Sequence, residues 1–123
     1  MTKRVLVVDD DDGVREIIQL SLEAVAGWTV WSAASGRAGI AIAQEKPLDL
    51  ILLDVMMPEE DGIVVYEKLQ ANEKTAAIPT ILLTAKAQVS EQQTLKELGI
   101  TGIITKPFDA RGLVANIVQL LAW

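Results

Sequence analysis

The sequence predicts an α/β fold, a doubly wound parallel sheet in a single domain of five successive β-α units. One observation is a set of short, continuous apolar runs without polar alternation, typical of parallel strands that are buried on both faces. The other is the helical periodicity of the segments between those runs. Strict alternation of the two patterns favours a parallel sheet with right-handed crossovers. The length of 123 residues suits one domain spanning 1–123.

Five strands are expected along the chain. Four of them are clear apolar runs, and a weaker one is expected at 29–32. The four runs are 5–8, 50–53, 81–83 and 103–104.

Five helices are expected between and after these strands. The first carries an apolar stripe and stops at Gly27, since glycine readily ends a helix. The stripe consists of Val14, Ile17, Ile18, Ser21, Leu22 and Val25. Ser35 is the expected cap of a second helix that runs to Ala43.

The remaining helices are expected at about 61–71, 89–98 and 110–121, the last of them with Asp109 as its cap. The inner face of the last helix is predicted to comprise Leu113, Ile117, Leu120 and Leu121. No linker or repeat interrupts the pattern, so we expect no output domain in this chain.

Composition excludes several classes of function. The chain has no cysteine and no histidine, which excludes thiol nucleophiles, imidazole bases and Cys or His metal sites. A net charge of −6 makes nucleic acid and anionic membranes poor direct partners. The longest apolar runs are far below the ~18 residues of a membrane helix, and the N-terminus does not resemble a secretion signal. We therefore expect a cytoplasmic protein.

Polar residues follow the predicted strands where ligands bind in such sheets, at the carboxyl ends. Asp9 and Asp10 follow the first strand and Asp54 follows the third. Thr84 ends the fourth strand, and Lys106 follows the fifth. Three carboxylates, one hydroxyl and one ammonium group are therefore expected to converge on one edge of the sheet.

Such a cluster needs a cation. Two carboxylates about 5 Å apart repel by roughly 3 kcal/mol at an effective dielectric constant near 20. Oxygen ligands without histidine or cysteine favour Mg²⁺ or Mn²⁺. A carboxylate that attacks phosphorus becomes an aspartyl phosphate, and Asp54, which stands alone on a central strand, is the best nucleophile. Asp9 and Asp10 are then better placed as metal ligands, while Lys106 and Thr84 can bind phosphoryl oxygens.

Four segments together resemble one known family. They are 5–11, 54–58 with 61–62, 83–85 and 105–108. In this order and spacing the chain resembles, over almost its whole length, the receiver domain of two-component response regulators, and it is similar to the chemotaxis receiver. The resemblance implies a flavodoxin-like (βα)5 sandwich, and the strand order 2-1-3-4-5 is adopted from it.

The resemblance also implies roles for individual residues. Asp54 would be the phosphoacceptor, Asp10 a direct metal ligand and Asp9 a ligand largely through water. The metal site of Asp9, Asp10 and Asp54 would be completed by the backbone carbonyl of Met56. Thr84 would be the switch hydroxyl and Lys106 the phosphate-binding lysine, with the bond to Pro107 in the cis form.

The implied function is a phosphorylation-controlled signalling switch rather than an enzyme. A histidine kinase or histidine phosphotransfer protein would donate the phosphoryl group to Asp54 with Mg²⁺ as cofactor, and hydrolysis would be slow. The readout would be a downstream protein that binds the face of the fourth helix, fifth strand and fifth helix. The protein would be a monomer or a weak, phosphorylation-dependent dimer.

Three positions bear on how such a switch works here. The family usually has an aromatic residue three positions before the lysine, where this chain has Ile103. An aliphatic side chain cannot make the ring rotation of an aromatic one, so another motion is expected. Met56 and Lys86 occupy variable positions that are expected to tune the lifetime of the phosphoryl group.

Three other functions compete with this interpretation. An aspartate-nucleophile phosphatase would need a second carboxylate where Met56 stands. A flavodoxin-like cofactor carrier would need a loop rich in Ser, Thr and Gly where residues 9–12 are all aspartate. A receiver used only for docking, independently of phosphorylation, is left open by Ile103.

Overall fold

A computed structural model describes residues 2–57, 60–85, 97–106 and 108–123. Its five strands form one parallel sheet in the order β2-β1-β3-β4-β5. They are β1 (Arg4–Val8), β2 (Thr29–Ala33), β3 (Leu50–Asp54), β4 (Thr80–Thr84) and β5 (Gly102–Thr105). The predicted α/β class and the strand order are confirmed.

Four helices are described: α1 (Asp12–Ala26), α2 (Gly36–Glu45), α3 (Gly62–Gln70) and α4 (Ala110–Leu121). The last one, α4, is the fifth helix of the sequence prediction. The helix predicted over 89–98 lies almost wholly outside the described residues, so it is not tested. Among the described helices, none is long and apolar enough to span a membrane.

Side chains at the helix ends explain where the helices begin. Ser35 and Asp109 accept hydrogen bonds from the third residue beyond them, as predicted. Asp11 and Asp61 cap α1 and α3 in a similar way. Gly27 ends α1 with a φ of 70°, a left-handed conformation that glycine adopts without steric cost.

The sheet separates two apolar clusters, and this explains the unbroken apolar runs. Val5 and Val7 belong to the cluster under α1 and α4, whereas Leu6 and Val8 belong to the cluster under α2 and α3. Because successive side chains of a strand point to opposite faces, burial on both faces requires every residue to be apolar.

The predicted apolar faces of two helices are too wide. In α1, Ile18, Ser21 and Leu22 are buried, but Ile17 is 56% exposed and Val25 47% exposed. In α4, Leu113 and Ile117 are buried, whereas Leu120 is 39% exposed. Periodicity shows which side of a helix is apolar, but the width of the buried strip depends on how closely neighbouring elements approach.

Candidate functional site

Asp9 lies directly beyond β1 and is fully buried. Its backbone N–H donates to the carbonyl of Ala33 over 3.1 Å, which continues the β1–β2 pairing by one residue. Its Oδ1 accepts the backbone N–H of Asp11 at 2.9 Å. The carboxylate is therefore held in place at the carboxyl edge of the sheet.

Asp54 is the last residue of β3 and only 4% exposed. Its Oδ1 accepts the backbone N–H of Met56 at 3.3 Å. Beyond β3, Met56 and Asp61 form an isolated antiparallel bridge, and the N–H of Gly62 donates to the carbonyl of Val55 over 2.9 Å. A Cβ atom at Gly62 would lie 2.3 Å from the carbonyl oxygen of Asp54, so only glycine fits there.

Lys106 joins the two buried carboxylates. Its Nζ lies 3.0 Å from Oδ2 of Asp9 and 3.3 Å from Oδ1 of Asp54. Its backbone N–H donates to the carbonyl of Thr84 over 2.7 Å, just beyond the last β4–β5 pair. Thr84 is itself buried at the end of β4, so the ends of four strands, β1, β3, β4 and β5, meet at this site.

Asp9, Asp10 and Asp54 form a candidate cation site. Each offers a carboxylate oxygen, and these oxygens lie within 4.8 Å of one another. Asp9 and Asp54 are buried, while Asp10 is exposed. Oxygen-only donors at this separation fit a hard divalent cation that keeps part of its water shell, such as Mg²⁺.

The environment shifts two pKa values at this site. Burial raises the pKa of Asp54 above the ordinary value of a carboxyl group, and the charge of Asp9 raises it further; Lys106 and the N–H of Met56 oppose the shift without cancelling it. Burial alone lowers the pKa of Lys106, but its hydrogen bond to Asp9 and the charges of Asp54 and Asp9 outweigh burial and leave the pKa raised. The site thus has one ammonium group among three carboxylates, an excess of negative charge.

The structure brings most of the predicted residues together. Asp9, Asp10, Asp54 and Lys106 share one cluster, with Thr84 at the same edge. Met56 contacts Asp54 through its N–H, and the role of its carbonyl as a metal ligand stays a prediction. Lys86 and Pro107 lie outside the described residues, so the cis bond is not tested.

Sequence reasoning did not identify Arg15. Its Nη1 donates to the backbone carbonyl of Asp9 over 2.8 Å, and its Nη2 bonds the carboxylate of Asp12. The spacing of three residues between Asp12 and Arg15 on a helix indicates their ion pair. No sequence signal indicates the bond to the Asp9 carbonyl, because it depends on how the chain turns after β1.

An apolar groove adjoins the cluster. It has a volume of about 200 Å³ and is lined by Val14, Ile17, Lys106 and Phe108. Ile17 and the nearby Leu20 of α1 are both more than half exposed. Lys106 therefore belongs to both the charged site and the groove.

Comparisons with known proteins agree with this geometry. A family model described as the response regulator receiver domain matches residues 5–118. The chain is similar to the DNA-binding dual master transcriptional regulator RpaA of Synechocystis sp., with 37% identity over 96% of this chain and 48% of that protein. It is also similar to the phosphate regulon transcriptional regulatory protein PhoB of Pseudomonas aeruginosa, with 39% identity over 97% of this chain and 52% of that protein.

Among solved structures, the chain is similar to the chemotaxis response regulator CheY4 of Vibrio cholerae. The TM-score is 0.90 with 30% identity, covering 98% of this chain and 99% of that one. This chain spans about half the length of RpaA and PhoB, so the comparison does not test the expected absence of an output domain.

Proposed function

Because this chain belongs to the response regulator receiver domain family, we propose that it is a phosphorylation-controlled switch whose phosphoacceptor is Asp54. Receiver domains are regulatory phosphoacceptor domains of two-component systems. The observation that carries the assignment is the burial of Asp54 beside Asp9, Asp10 and Lys106. Asp54 occupies the end of a central strand and projects to the edge where the other charges meet.

The proposed reaction transfers a phosphoryl group from a histidine nitrogen of the donor to a carboxylate oxygen of Asp54. A carboxylate oxygen of Asp54 attacks the phosphorus of a phosphohistidine, the P–N bond breaks, and its electron pair returns to the imidazole nitrogen. The product on this chain is an aspartyl phosphate, a mixed anhydride. Slow hydrolysis by water at phosphorus would then break the new P–O bond, giving inorganic phosphate and the free carboxylate.

The chain's own groups suit this reaction. Lys106 can bind one phosphoryl oxygen through its ammonium group, and the hydroxyl of Thr84 can bind another. Asp9, Asp10, Asp54 and the carbonyl of Met56 would hold Mg²⁺, or Mn²⁺, which neutralises charge on the phosphoryl group when bound. Met56 is exposed and offers no acid or base, which disfavours an aspartate-nucleophile phosphatase.

Phosphorylation can supply enough free energy to operate a switch. Inverting a 1:99 population takes about 5.5 kcal/mol of differential stabilisation. Charge-assisted hydrogen bonds from Lys106 and Thr84 contribute about 1.5–3 kcal/mol each. We propose that the readout uses the predicted helix at 89–98, β5 and α4. Ile103 lies in β5 and is half-buried. Because it is aliphatic, transmission would use packing shifts rather than rotation of an aromatic ring.

The partners follow from the site and its surroundings. The apolar groove, lined by Val14, Ile17 and Phe108, shares Lys106 with the acidic cluster, so we propose that a donor that reaches Asp54 contacts the groove. Exposed apolar side chains beside a charged site are typical of a protein interface, which favours a phosphohistidine protein as donor.

The acidic chain is not suited to contact DNA itself, and its target is proposed to be a protein. We propose a cytoplasmic protein that is a monomer or a weak phosphorylation-dependent dimer.

Intact-mass spectrometry with acetyl phosphate and Mg²⁺ tests the assignment. One phosphoryl group is expected on the unaltered chain and none on Asp54→Asn. Asp49→Asn, which changes an aspartate in the Arg4 ion pair at the opposite end of β1, is the matched control and should still be phosphorylated. An unmodified mass for the unaltered chain, or phosphorylation of Asp54→Asn, would overturn the proposal. A phosphorylated chain whose affinity for its target does not change would instead be a docking module.

A further inference from the structure

Arg15 bonds the loop that presents the acidic residues. Its Nη1 donates to the backbone carbonyl of Asp9 over 2.8 Å, and its Nη2 bonds the carboxylate of Asp12. The side chain of Arg15 is 17% exposed, whereas that of Asp12 is 90% exposed. An ion pair with so exposed a partner contributes little, so the bond to the Asp9 carbonyl is the more important contact.

This carbonyl belongs to the peptide that joins Asp9 to Asp10. Because a peptide group is planar, fixing its oxygen also fixes the direction of the N–H of Asp10. The next peptide is fixed as well, since the N–H of Asp11 donates to Oδ1 of Asp9 over 2.9 Å. Both peptides flanking Asp10 are therefore held, although the side chain of Asp10 is exposed.

Arg15 bonds the backbone of the acidic loop rather than the carboxylates of the candidate cation site. Within the described part of the chain its hydrogen bonds go to a backbone carbonyl and to Asp12, rather than to the carboxylates of Asp9, Asp10 or Asp54. Lys106, in contrast, contacts two of those carboxylates and competes with a cation for them. Arginine is suited to holding this loop, because its planar guanidinium group donates to two acceptors at once.

We propose that Arg15 is a positioning residue for the metal site, which it serves by fixing the Asp9–Asp10 peptide and thereby the carboxylate of Asp10. The proposal rests on the proposed function, since it assumes that Asp9, Asp10 and Asp54 bind Mg²⁺. The proposal predicts a change in Mg²⁺ affinity opposite in sign to the one that electrostatics alone would give. Removing a nearby positive charge alone would tighten Mg²⁺ binding, whereas losing the orientation of Asp10 weakens it.

Calorimetric titration of the unphosphorylated protein with Mg²⁺ tests this inference without any phosphoryl transfer. Arg15→Gln is expected to weaken Mg²⁺ binding about tenfold, as is typical when a group that orients a ligand is lost. Arg15→Lys, which keeps the charge and one donor, should give an intermediate dissociation constant. Arg4→Gln is the control: it makes the same change of charge in the Arg4–Asp49 pair at the start of β1 and should leave Mg²⁺ binding unchanged.

The outcomes separate the two proposals. No Mg²⁺ binding by the unaltered chain would overturn the proposed function and this inference with it. Mg²⁺ binding by Arg15→Gln that equals or exceeds that of the unaltered chain would overturn the inference alone. Thermal unfolding without Mg²⁺ shows whether each variant is folded. If Arg15→Gln does not fold, the Mg²⁺ affinity of Arg15→Lys is compared with that of the unaltered chain instead. Equal binding by Arg15→Lys and the unaltered chain would then contradict the role of the guanidinium fork.

Discussion

Nζ of Lys106 lies 3.0 Å from Oδ2 of Asp9, although 97 residues separate the two in the chain. The contact joins the end of β5, an edge strand, to the end of β1, and it spans the strands that carry Asp54 and Thr84. It also partly neutralises a carboxylate that is fully buried. The ammonium group therefore stabilises the fold in the absence of a cation and competes with a cation at the same oxygens.

Lys106→Met should show both effects. We expect the free energy of unfolding to fall by about 3 kcal/mol, because two charge-assisted hydrogen bonds are lost and Asp9 and Asp54 are left without their cation. Mg²⁺ should bind more tightly, because its competitor is gone. Urea unfolding and Mg²⁺ titration measure the two quantities. Lys68→Met is the control, since Lys68 pairs with Glu60 over 3.2 Å but is 55% exposed, and it should cost less than about 1 kcal/mol.

Asp54→Asn should stabilise the protein at neutral pH. The pKa of Asp54 is raised in the folded state, so the folded protein binds its proton more tightly than the unfolded chain. Stability is therefore lost as the pH rises from the ordinary pKa through the folded one, by about 1.4 kcal/mol for each pH unit between the two values. Asparagine cannot ionise and avoids this cost.

The gain from Asp54→Asn should be largest at pH 7 and shrink as the pH falls towards 3.8, the ordinary pKa of the group. Urea unfolding at a series of pH values checks this. Asp49→Asn, which removes a partner of Arg4, should give no such gain. A gain at pH 7 that persists unchanged at acid pH would contradict the role of ionisation.

Gly62→Ala should damage the site as well as the fold. The added methyl group would lie 2.3 Å from the carbonyl of Asp54 and 2.7 Å from Cα of Val55, both rigid backbone atoms. We expect a loss of about 1–3 kcal/mol in the free energy of unfolding and weaker Mg²⁺ binding, because Asp54 must shift. In Gly13→Ala the methyl group meets only a side-chain oxygen, Oδ1 of Asp11, at 3.3 Å, so the change should stay below about 1 kcal/mol.

Ile17→Asp should distinguish a protein donor from a small one. If a phosphohistidine protein covers the groove beside Lys106, a charge at Ile17 should slow transfer from that protein about tenfold, which corresponds to ~1.4 kcal/mol at an interface. Phosphorylation by acetyl phosphate should be unchanged. Val25→Asp, at the other end of α1 and similarly exposed, is the matched control. Equal slowing by both variants, or with both donors, would contradict docking over the groove.

The sequence predicts the sheet and the acidic edge well for a physical reason. Val5 to Val8 form an unbroken apolar run because the sheet is covered on both faces, and the ends of parallel strands must meet at one edge. That placement brings Asp9, Asp54 and Lys106 together without any knowledge of side-chain geometry. The exposure of Ile17 could not be predicted in this way, because periodicity does not show where a neighbouring element stops.

The contacts made by Arg15 and Gly62 could not be predicted from the sequence either. Both depend on how the chain turns after a strand, a few residues beyond any periodic pattern. Arg15 of α1 donates to the carbonyl of Asp9, which lies in the connection between β1 and α1. Gly62 lies next to the carbonyl of Asp54, and the neighbouring residues Met56 and Asp61 form a bridge that no periodic pattern indicates.

Tyr66→Phe should remove a hydrogen bond between α3 and Leu98. It should also flatten the alkaline limb of the stability curve, which is the fall in the free energy of unfolding at high pH. Tyr66 is buried on α3, and its hydroxyl donates to the carbonyl of Leu98 over 3.2 Å. Loss of this bond should cost about 1 kcal/mol at pH 7, because the carbonyl loses its partner.

Burial raises the pKa of Tyr66 above 10.0, so its contribution is complete below that pH and is lost as the pH rises through the folded pKa. The unaltered chain should therefore lose more stability than Tyr66→Phe between pH 9 and pH 11, measured by urea unfolding. Lys106 also has a raised pKa and contributes to the same limb, so Lys106→Met should flatten it too, and the double variant should flatten it most. An alkaline limb of identical slope in Tyr66→Phe and the unaltered chain would show that the hydroxyl does not ionise on unfolding in this range.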